Sequence, residues 1–265
     1  MAGTTTPAGG VETLAALIAD ARSVVALTGA GISVPSGIPD FRTPGTGLWE
    51  RVDPVAVAHI DAFRADPARF WSFYGERFAS LAGKRPNGAH RALAELERRG
   101  LLDAVITQNV DMLHRAAGTR ELVEVHGSIA TSSCASCGCA LPIERVRALL
   151  AATPDGVPRC GDCDEPLKPD VVLFGEMLPA AALERARELC EAADVLLCIG
   201  SSLEVHPVAG LPLLTHGRGG AVAICTQGRT PLDDIARVRL RGDVVEELGA
   251  LVDSTKGCGI DQRSH

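Results

Sequence analysis

The hydrophobic positions of this chain change period along its length. Leu14, Leu17, Ile18 and Ala21 recur at helical spacing, which predicts an amphipathic helix over Val11–Ala21. A continuous apolar run, Ser23–Leu27, follows and ends in Thr28-Gly29-Ala30-Gly31, the pattern of a short buried strand entering a glycine turn. Similar runs recur at Asp103–Thr107, Glu121–Val125, Val171–Phe174, Val195–Ile199 and Ala221–Cys225. Helical spacing returns over Asp66–Ala79, Gly88–Arg99 and Pro179–Ala192, the first opening on an Asp-Pro cap signal. Buried strands alternating with helices predict an α/β fold built on a doubly wound parallel sheet.

The spacing of the strands is uneven. About 75 residues separate the first two, far more than the dozen or so that a parallel crossover needs. The helices between them therefore read as an insert. Ala130–Lys168 lacks a sustained period and holds five of the nine cysteines, so it reads as a second insert, organised by metal. The last residues, Asp253–His265, are polar and read as a frayed tail.

Composition narrows the class. With 265 residues and 46% hydrophobic content the chain supplies a real core, which excludes disorder and small stapled scaffolds. A net charge of −7 is the wrong sign for coating nucleic acid or an anionic bilayer. All but three of the 26 basic residues are arginine, which reads as coding bias. No run reaches the roughly 18 apolar residues of a membrane span, and Met1–Gly10 lacks the features of a signal peptide. Nine cysteines, odd in number and unevenly spaced, do not form a secreted disulfide framework. A reduced, cytoplasmic setting is expected, where thiolates serve as metal ligands.

Four of them have that spacing. Cys134-Ala-Ser-Cys137 and Cys160-Gly-Asp-Cys163 lie 22 residues apart and predict a closed, structural Zn²⁺ site, with no position open for catalysis. Cys139 is a spare thiol, and Cys190, Cys198, Cys225 and Cys258 read as core or tail residues. Gly29-Ala30-Gly31 begins like a dinucleotide fingerprint, but Val34 stands where the third glycine belongs, so a plain tight turn is the alternative. Two prolines and a glycine within Ile32–Arg42 argue against a helix and for an ordered loop carrying Asp40, Phe41 and Arg42.

Thr107-Gln108-Asn109-Val110-Asp111 follows a strand, where parallel sheets place ligand groups; capping of the next helix is the bland alternative. His126-Gly127 ends the next strand, and an imidazole there suits a general base. Gly200-Ser201-Ser202 is a further strand-to-turn transition whose backbone N–H groups suit phosphate or ribose. The other six histidines, His90 and His114 among them, lack the strand-end position.

Taken in order, Gly29-Ala-Gly-Ile-Ser, Gly37-Ile-Pro-Asp-Phe-Arg42, Thr107-Gln-Asn-Val-Asp111, His126-Gly127, the two cysteine pairs, Pro169-Asp-Val-Val-Leu-Phe-Gly-Glu176 and Gly200-Ser-Ser-Leu203 resemble the sirtuins, NAD-dependent protein-lysine deacylases. The resemblance covers roughly residues 11–250. It implies a Rossmann-like large domain over 11–45, 100–129 and 169–252, a helical module over 46–99 and a zinc module over 130–168, with NAD and acyl-lysine in the cleft between. It also implies that Gly29, Ala30, Gly31, Pro39, Asp40, Phe41, Arg42 and Trp49 line the cofactor loop. Gln108, Asn109, Val110 and Asp111 would hold nicotinamide and its ribose, and Gly200, Ser201 and Ser202 the other ribose and the phosphates. Val172 and Phe174 would wall an acyl-lysine tunnel, and the catalytic residues would be His126, as the base, and Asn109. The implied chemistry is attack of the acyl oxygen on ribose C1′ with loss of nicotinamide, then attack of a deprotonated ribose hydroxyl on the resulting imidate, after which water releases free lysine and O-acyl-ADP-ribose.

Two features point to different branches of that family. Trp71-Ser-Phe-Tyr74-Gly-Glu-Arg77 resembles the branch that removes succinyl and malonyl groups, with phenol and guanidinium on one helix face where they suit a carboxylate. A solvated Tyr and Arg is the alternative. Pro35-Ser-Gly-Ile-Pro-Asp40 looks more like the deacetylase branches. Thr226 replaces the asparagine that many members use at the adenosine ribose, and Asp243 and Val244 flank the expected adenine. The rival readings are mono-ADP-ribosyl transfer from the same NAD site and a non-catalytic, NAD-binding zinc-ribbon interaction module. The expected partners are acylated lysine side chains of proteins, with no direct nucleic acid and no membrane; self-association is left open.

Overall fold

The computed structural model describes residues 7–40, 57–81 and 83–256. Helix α1 (Pro7–Asp20) leads into β1 (Val24–Thr28) and a 3-10 turn, Ala30–Ser36. Helices α2 (Ile60–Ala65), α3 (Pro67–Leu81) and α4 (Gly88–Arg98) follow. Next come β2 (Ala104–Thr107), α5 (Leu113–Ala117), β3 (Leu122–Glu124), β4 (Gly127–Cys134), β5 (Ala140–Pro142), α6 (Ile143–Ala152) and β6 (Leu167–Val171). The described chain ends with α7 (Ala180–Ala192), β7 (Val195–Ile199), α8 (Leu211–Gly217), β8 (Ala221–Cys225), β9 (Ala236–Leu240) and α9 (Val244–Ser254).

Six strands form a parallel sheet in the order β3-β2-β1-β7-β8-β9. Counted along the sheet's own strands this is 3-2-1-4-5-6, the order of dinucleotide-binding folds, and its direction reverses between β1 and β7. These two strands and β2 are buried at every position. Helices α1, α4 and α9 pack on one face, and α7 and α8 on the other, which is why the strands read as unbroken apolar runs.

A second, antiparallel sheet has the order β5-β4-β6 and shares a third core with α2, α3 and α6. The Asp66-Pro67 signal starts α3 as expected: Asp66 Oδ1 accepts from the Arg69 N–H at 2.9 Å. The aromatic side of α3 faces this core. Phe70 stacks on Tyr74 with centroids 4.5 Å apart, and the Trp71 Nε1–H donates to the Leu167 carbonyl at 2.9 Å.

Three expectations change. The apolar run at Val171–Phe174 is not a strand of the parallel sheet: β6 pairs antiparallel with β4, and its burial alternates because only one face is covered. The second insert contains helix α6, whose Ile143, Val146, Leu149 and Leu150 have helical spacing but bury only Val146 fully. Residues 30–36 are a 3-10 turn despite Pro35. Pro35 has no N–H for the Ile32 carbonyl, and the Asn87 Nδ2–H donates there instead, at 2.8 Å. Among the described residues no helix is long and apolar enough to cross a membrane.

Candidate functional site

The carboxyl ends of β1 and β7 meet at the switch point with almost no space between their backbones. The Gly29 N–H donates to the Ile199 carbonyl at 2.9 Å, and the Gly31 N–H to the Gly200 carbonyl at 2.8 Å. A Cβ on Gly31 would stand 2.8 Å from the Gly200 Cα, and one on Gly29 would stand 2.8 Å from the Gly200 carbonyl oxygen. Gly200 itself has φ +60. These three glycines are therefore required by backbone crossing, whereas Val34, where a third fingerprint glycine would stand, is 45% exposed.

Polar groups from β2 cross this junction. The Gln108 Nε2–H donates to Ser201 Oγ at 2.9 Å, and the Asn109 Nδ2–H donates to the Gly29 carbonyl at 3.1 Å and to Ser33 Oγ at 3.2 Å. Ser33 in turn donates to Asp111 Oδ2 at 2.6 Å. Asp111 also accepts from the N–H of Leu113, the first residue of α5, at 2.9 Å, so it braces the start of that helix while it lines the site. Burial raises its carboxyl pKa, and the Ser33 and Leu113 hydrogen bonds oppose that rise.

His126 leaves β3 half-buried beside this network. Its Nδ1 lies 3.0 Å from the Gln108 carbonyl, an acceptor only, so Nδ1 carries the proton and Nε2 keeps its lone pair. Burial lowers the imidazole pKa, so the ring is neutral at pH 7, as a base requires. The His126 carbonyl accepts from the Val172 N–H at 2.9 Å. That bond brings Val172 against the base. Phe174 is tied to the start of α2 by its N–H to the Ala58 carbonyl and its carbonyl to the Ile60 N–H, both 2.9 Å, and keeps 42% of its surface exposed.

Tyr74 lies in the third core, which also takes in Val110 and Met112, the neighbours of Asp111. Burial pushes its phenol up to about 12, with Arg77 pulling the other way. The Arg77 pKa is lowered by burial. The two side chains thus interact, and both are half-buried. Thr226 follows β8, where its carbonyl accepts from the Arg239 Nη1–H at 2.6 Å, and Asp243 caps α9 through the Val245 N–H at 2.8 Å, just before Val244. Gly200 joins this edge, since its N–H donates to the Cys225 carbonyl at 2.9 Å. Pro39 and Asp40 end the described loop, and Ser202 follows Ser201. Phe41, Arg42 and Trp49 of the cofactor-loop expectation, and Cys258, lie outside the described residues.

The sequence reading missed two members of the site. His90 Nε2 lies 3.4 Å from Ser33 Oγ, and His114 Nε2 lies 3.0 Å from Thr28 Oγ1, with the two rings 4.9 Å apart. Thr28 donates to Thr107 Oγ1, which accepts from the Asn109 N–H. These side chains form a buried floor under Asn109 and Asp111. Both histidines sit on helices, so the strand-end criterion passed over them; their only signal was a polar residue on an apolar helix face.

The four cysteines come together as the spacing predicts. Cys134 and Cys163 sulfurs are 3.4 Å apart, Cys137 and Cys160 3.5 Å, and Cys137 and Cys163 3.7 Å. A tetrahedral Zn²⁺ with 2.3 Å bonds needs sulfurs about 3.8 Å apart, so the cluster fits one structural zinc. Each pair closes the same backbone turn. The Gly138 N–H donates to the Cys134 carbonyl and the Asp164 N–H to the Cys160 carbonyl, both at 3.0 Å, with Gly138 and Asp164 at positive φ.

The architecture thus defines a nucleotide-binding α/β protein carrying a four-cysteine zinc ribbon. Residues 29–207 match the Sir2 family. The chain is 43% identical over 241 residues to an NAD-dependent protein deacylase of Archaeoglobus fulgidus, covering 91% of this chain and 96% of that one. It is 43% identical over 230 residues to an NAD-dependent protein deacetylase of Thermotoga maritima, covering 87% and 92%. Among solved structures, a Sir2 protein with a deacetylated p53 peptide and 3′-O-acetyl ADP-ribose superimposes with a TM-score of 0.87 at 40% identity, covering 92% and 97%. The chain belongs to the Sir2 family.

Proposed function

We propose that this chain is an NAD-dependent protein-lysine deacylase, which moves the acyl group of an acylated lysine to ADP-ribose and releases nicotinamide. One observation carries the reading: a histidine oriented through Nδ1 on the Gln108 carbonyl, with Nε2 as proton acceptor, is tied to the segment that carries Asn109 and Asp111. Relatives named as deacylases and a Sir2 structure holding a propionylated peptide support it.

When bound, NAD supplies a ribose carbon whose nicotinamide is the leaving group. Gln108, Asn109, Val110 and Asp111 hold that end of it. Gly29, Ala30, Gly31, Pro39 and Asp40 would line the cofactor loop, and Gly200, Ser201 and Ser202 the other ribose and the phosphates. Thr226, Asp243 and Val244 border the adenosine end. The crossing at Gly29, Gly31 and Gly200 uses its own N–H groups on the Ile199, Gly200 and Cys225 carbonyls, and by holding the β1 and β7 ends in backbone contact it shapes the crevice that would take such a ligand. Val172 and Phe174 wall the acyl-lysine channel, and His126 Nε2 takes the ribose hydroxyl proton. The zinc site, with four sulfurs, leaves no position for substrate and is structural. A reduced, cytoplasmic setting goes with this reading, because the thiolates must stay free for the metal.

Acetyl-, malonyl- and succinyl-peptides incubated with and without NAD test the reading. NAD-dependent deacylation of at least one is expected, and His126→Ala abolishes it while zinc content stays at one per chain. The acidic limb of the kcat/KM profile falls below pH 6.5, the ordinary histidine value, because burial lowers the His126 pKa. No NAD-dependent product from any peptide sinks the proposal, and adenylate label on protein marks ADP-ribosyl transfer instead. Tyr74 and Arg77 assign the carboxylated acyl groups: Tyr74→Phe with Arg77→Met removes any succinyl preference and spares acetyl turnover. A succinyl preference that survives both changes refutes that assignment.

A further inference from the structure

Residues 171–176 carry the channel wall yet belong to no strand of either sheet beyond Val171. The described hydrogen bonds hold them from three sides. Val172 is bonded to the His126 carbonyl, and Phe174 to Ala58 and Ile60. The third anchor is Glu176. Its Oε2 accepts from the Leu173 N–H at 2.8 Å and meets Lys168 Nζ at 3.0 Å.

Lys168 is one of three lysines in the chain, and it is not a solvated surface charge. Its side chain keeps only 18% of its surface, and that of Glu176 26%. The ammonium has three protons. One meets Glu176, and the others donate to the Val171 carbonyl at 2.8 Å and the Pro169 carbonyl at 3.1 Å. Lys168 therefore joins the end of β6 to the far end of the wall and closes 168–176 into a loop. Gly175, at φ +83, makes the return, and a Cβ there would stand 2.6 Å from His59 Nε2.

We propose that Lys168 and Glu176 act as a latch that positions Val172 and Phe174, and so sets the width of the acyl-lysine channel without touching the acyl group. The inference rests on the reading of Val172 and Phe174 as channel walls. A half-buried ion pair with every ammonium proton placed fixes geometry more firmly than an exposed pair. Loss of the ammonium leaves two carbonyls and a carboxylate to water and frees the turn. Gln108–Asp111 and Gly200–Ser202 follow β2 and β7 of the other sheet, so ADP-ribose binding should change little.

The test is steady-state kinetics of the full-length, zinc-loaded protein with an acetyl-peptide at saturating NAD. Lys168→Met raises the acyl-peptide KM about ten-fold or more, changes kcat less, and leaves ADP-ribose affinity within roughly two-fold. Lys168→Arg restores most of the KM. Glu176→Gln gives the same direction of change should Lys168→Met fold poorly, and the double variant costs less than the sum of the two, as coupled partners require. An unchanged acyl-peptide KM in both single variants overturns the latch. So does a parallel loss of ADP-ribose affinity, which marks general destabilisation. Phe174→Ala, measured alongside, separates the two levels. If it raises KM and the latch variants do not, only the latch is wrong; if it has no effect, the wall reading fails and takes the latch with it.

Discussion

Ser33 gives its hydroxyl proton to Asp111 and accepts one from Asn109, so a single buried side chain fixes the direction of two site groups. Behind it stand His90 and His114, whose pKa values burial lowers to about 4 and about 3. Both rings are neutral in the folded protein at pH 7, and the hydrogen bond to Thr28 places the His114 proton on Nε2 if Thr28 donates onward to Thr107. Their unfolded values are near 6.5, so the unfolded chain binds more protons below that pH. The contribution of the neutral pair is fully present above pH 6.5 and is lost as pH falls toward 4 and then 3. Urea midpoints measured from pH 7.5 to 4.5 should fall, and His114→Asn should flatten the slope in that window. An equal slope in the variant would remove the pair from the account. At this scale the sequence was informative where a residue ended a strand, as His126, Asn109 and Gly200 do. It was silent for His90 and His114, because a histidine on an apolar helix face looks the same whether it fills a core or supports a site.

Between elements, the closest fit is at Gly127. This residue starts β4 at φ +74, and a Cβ there would run into the Asp170 carbonyl of β6. The contact is backbone, so no side chain can rotate away. Gly127→Ala should therefore lower stability by more than about 2 kcal/mol, from left-handed strain and the collision together. It should also shift His126, its chain neighbour, and cut kcat further than the stability loss explains. Chemical denaturation and kinetics on the folded fraction check this, and normal kcat in the folded fraction would uncouple the strand pair from the base. Five of the six parallel strands and α3, α4 and α7 were legible because each had either a continuous apolar run or a clean period, whereas β9, Ala236-Arg-Val-Arg-Leu240, was not, because two arginines interrupt its apolar positions. Strand β6 was not, because its apolar residues run straight on into Val172 and Leu173, and a run of that kind does not reveal which sheet it joins. The 3-10 turn was hidden for a different reason. Asn87, more than fifty residues away, supplies the hydrogen bond that Pro35 cannot, and no local rule sees a tertiary donor.

Across the whole molecule, the zinc cluster and the proposed base sit at opposite ends of one strand pair. Cys134 pairs with Leu167 at one end of β4 and β6, and Gly127 pairs with Val171 at the other. Gln108–Asp111 and Gly200–Ser202 instead follow β2 and β7 in the parallel sheet, whose cores contain no zinc ligand. Stripping the metal should thus divide the two halves of the site. The small sheet shares its core with α3 through Trp71 and Leu167, so it loosens together with the channel wall. Turnover should drop at least ten-fold on chelation and return with Zn²⁺, while ADP-ribose affinity changes less than about three-fold. Calorimetric titration of ADP-ribose before and after chelation, beside peptide turnover, measures both. A proportional collapse of ADP-ribose affinity would mean that the parallel sheet cannot keep its crevice without the ribbon, and the zinc would then support the entire fold rather than the acyl-lysine side alone.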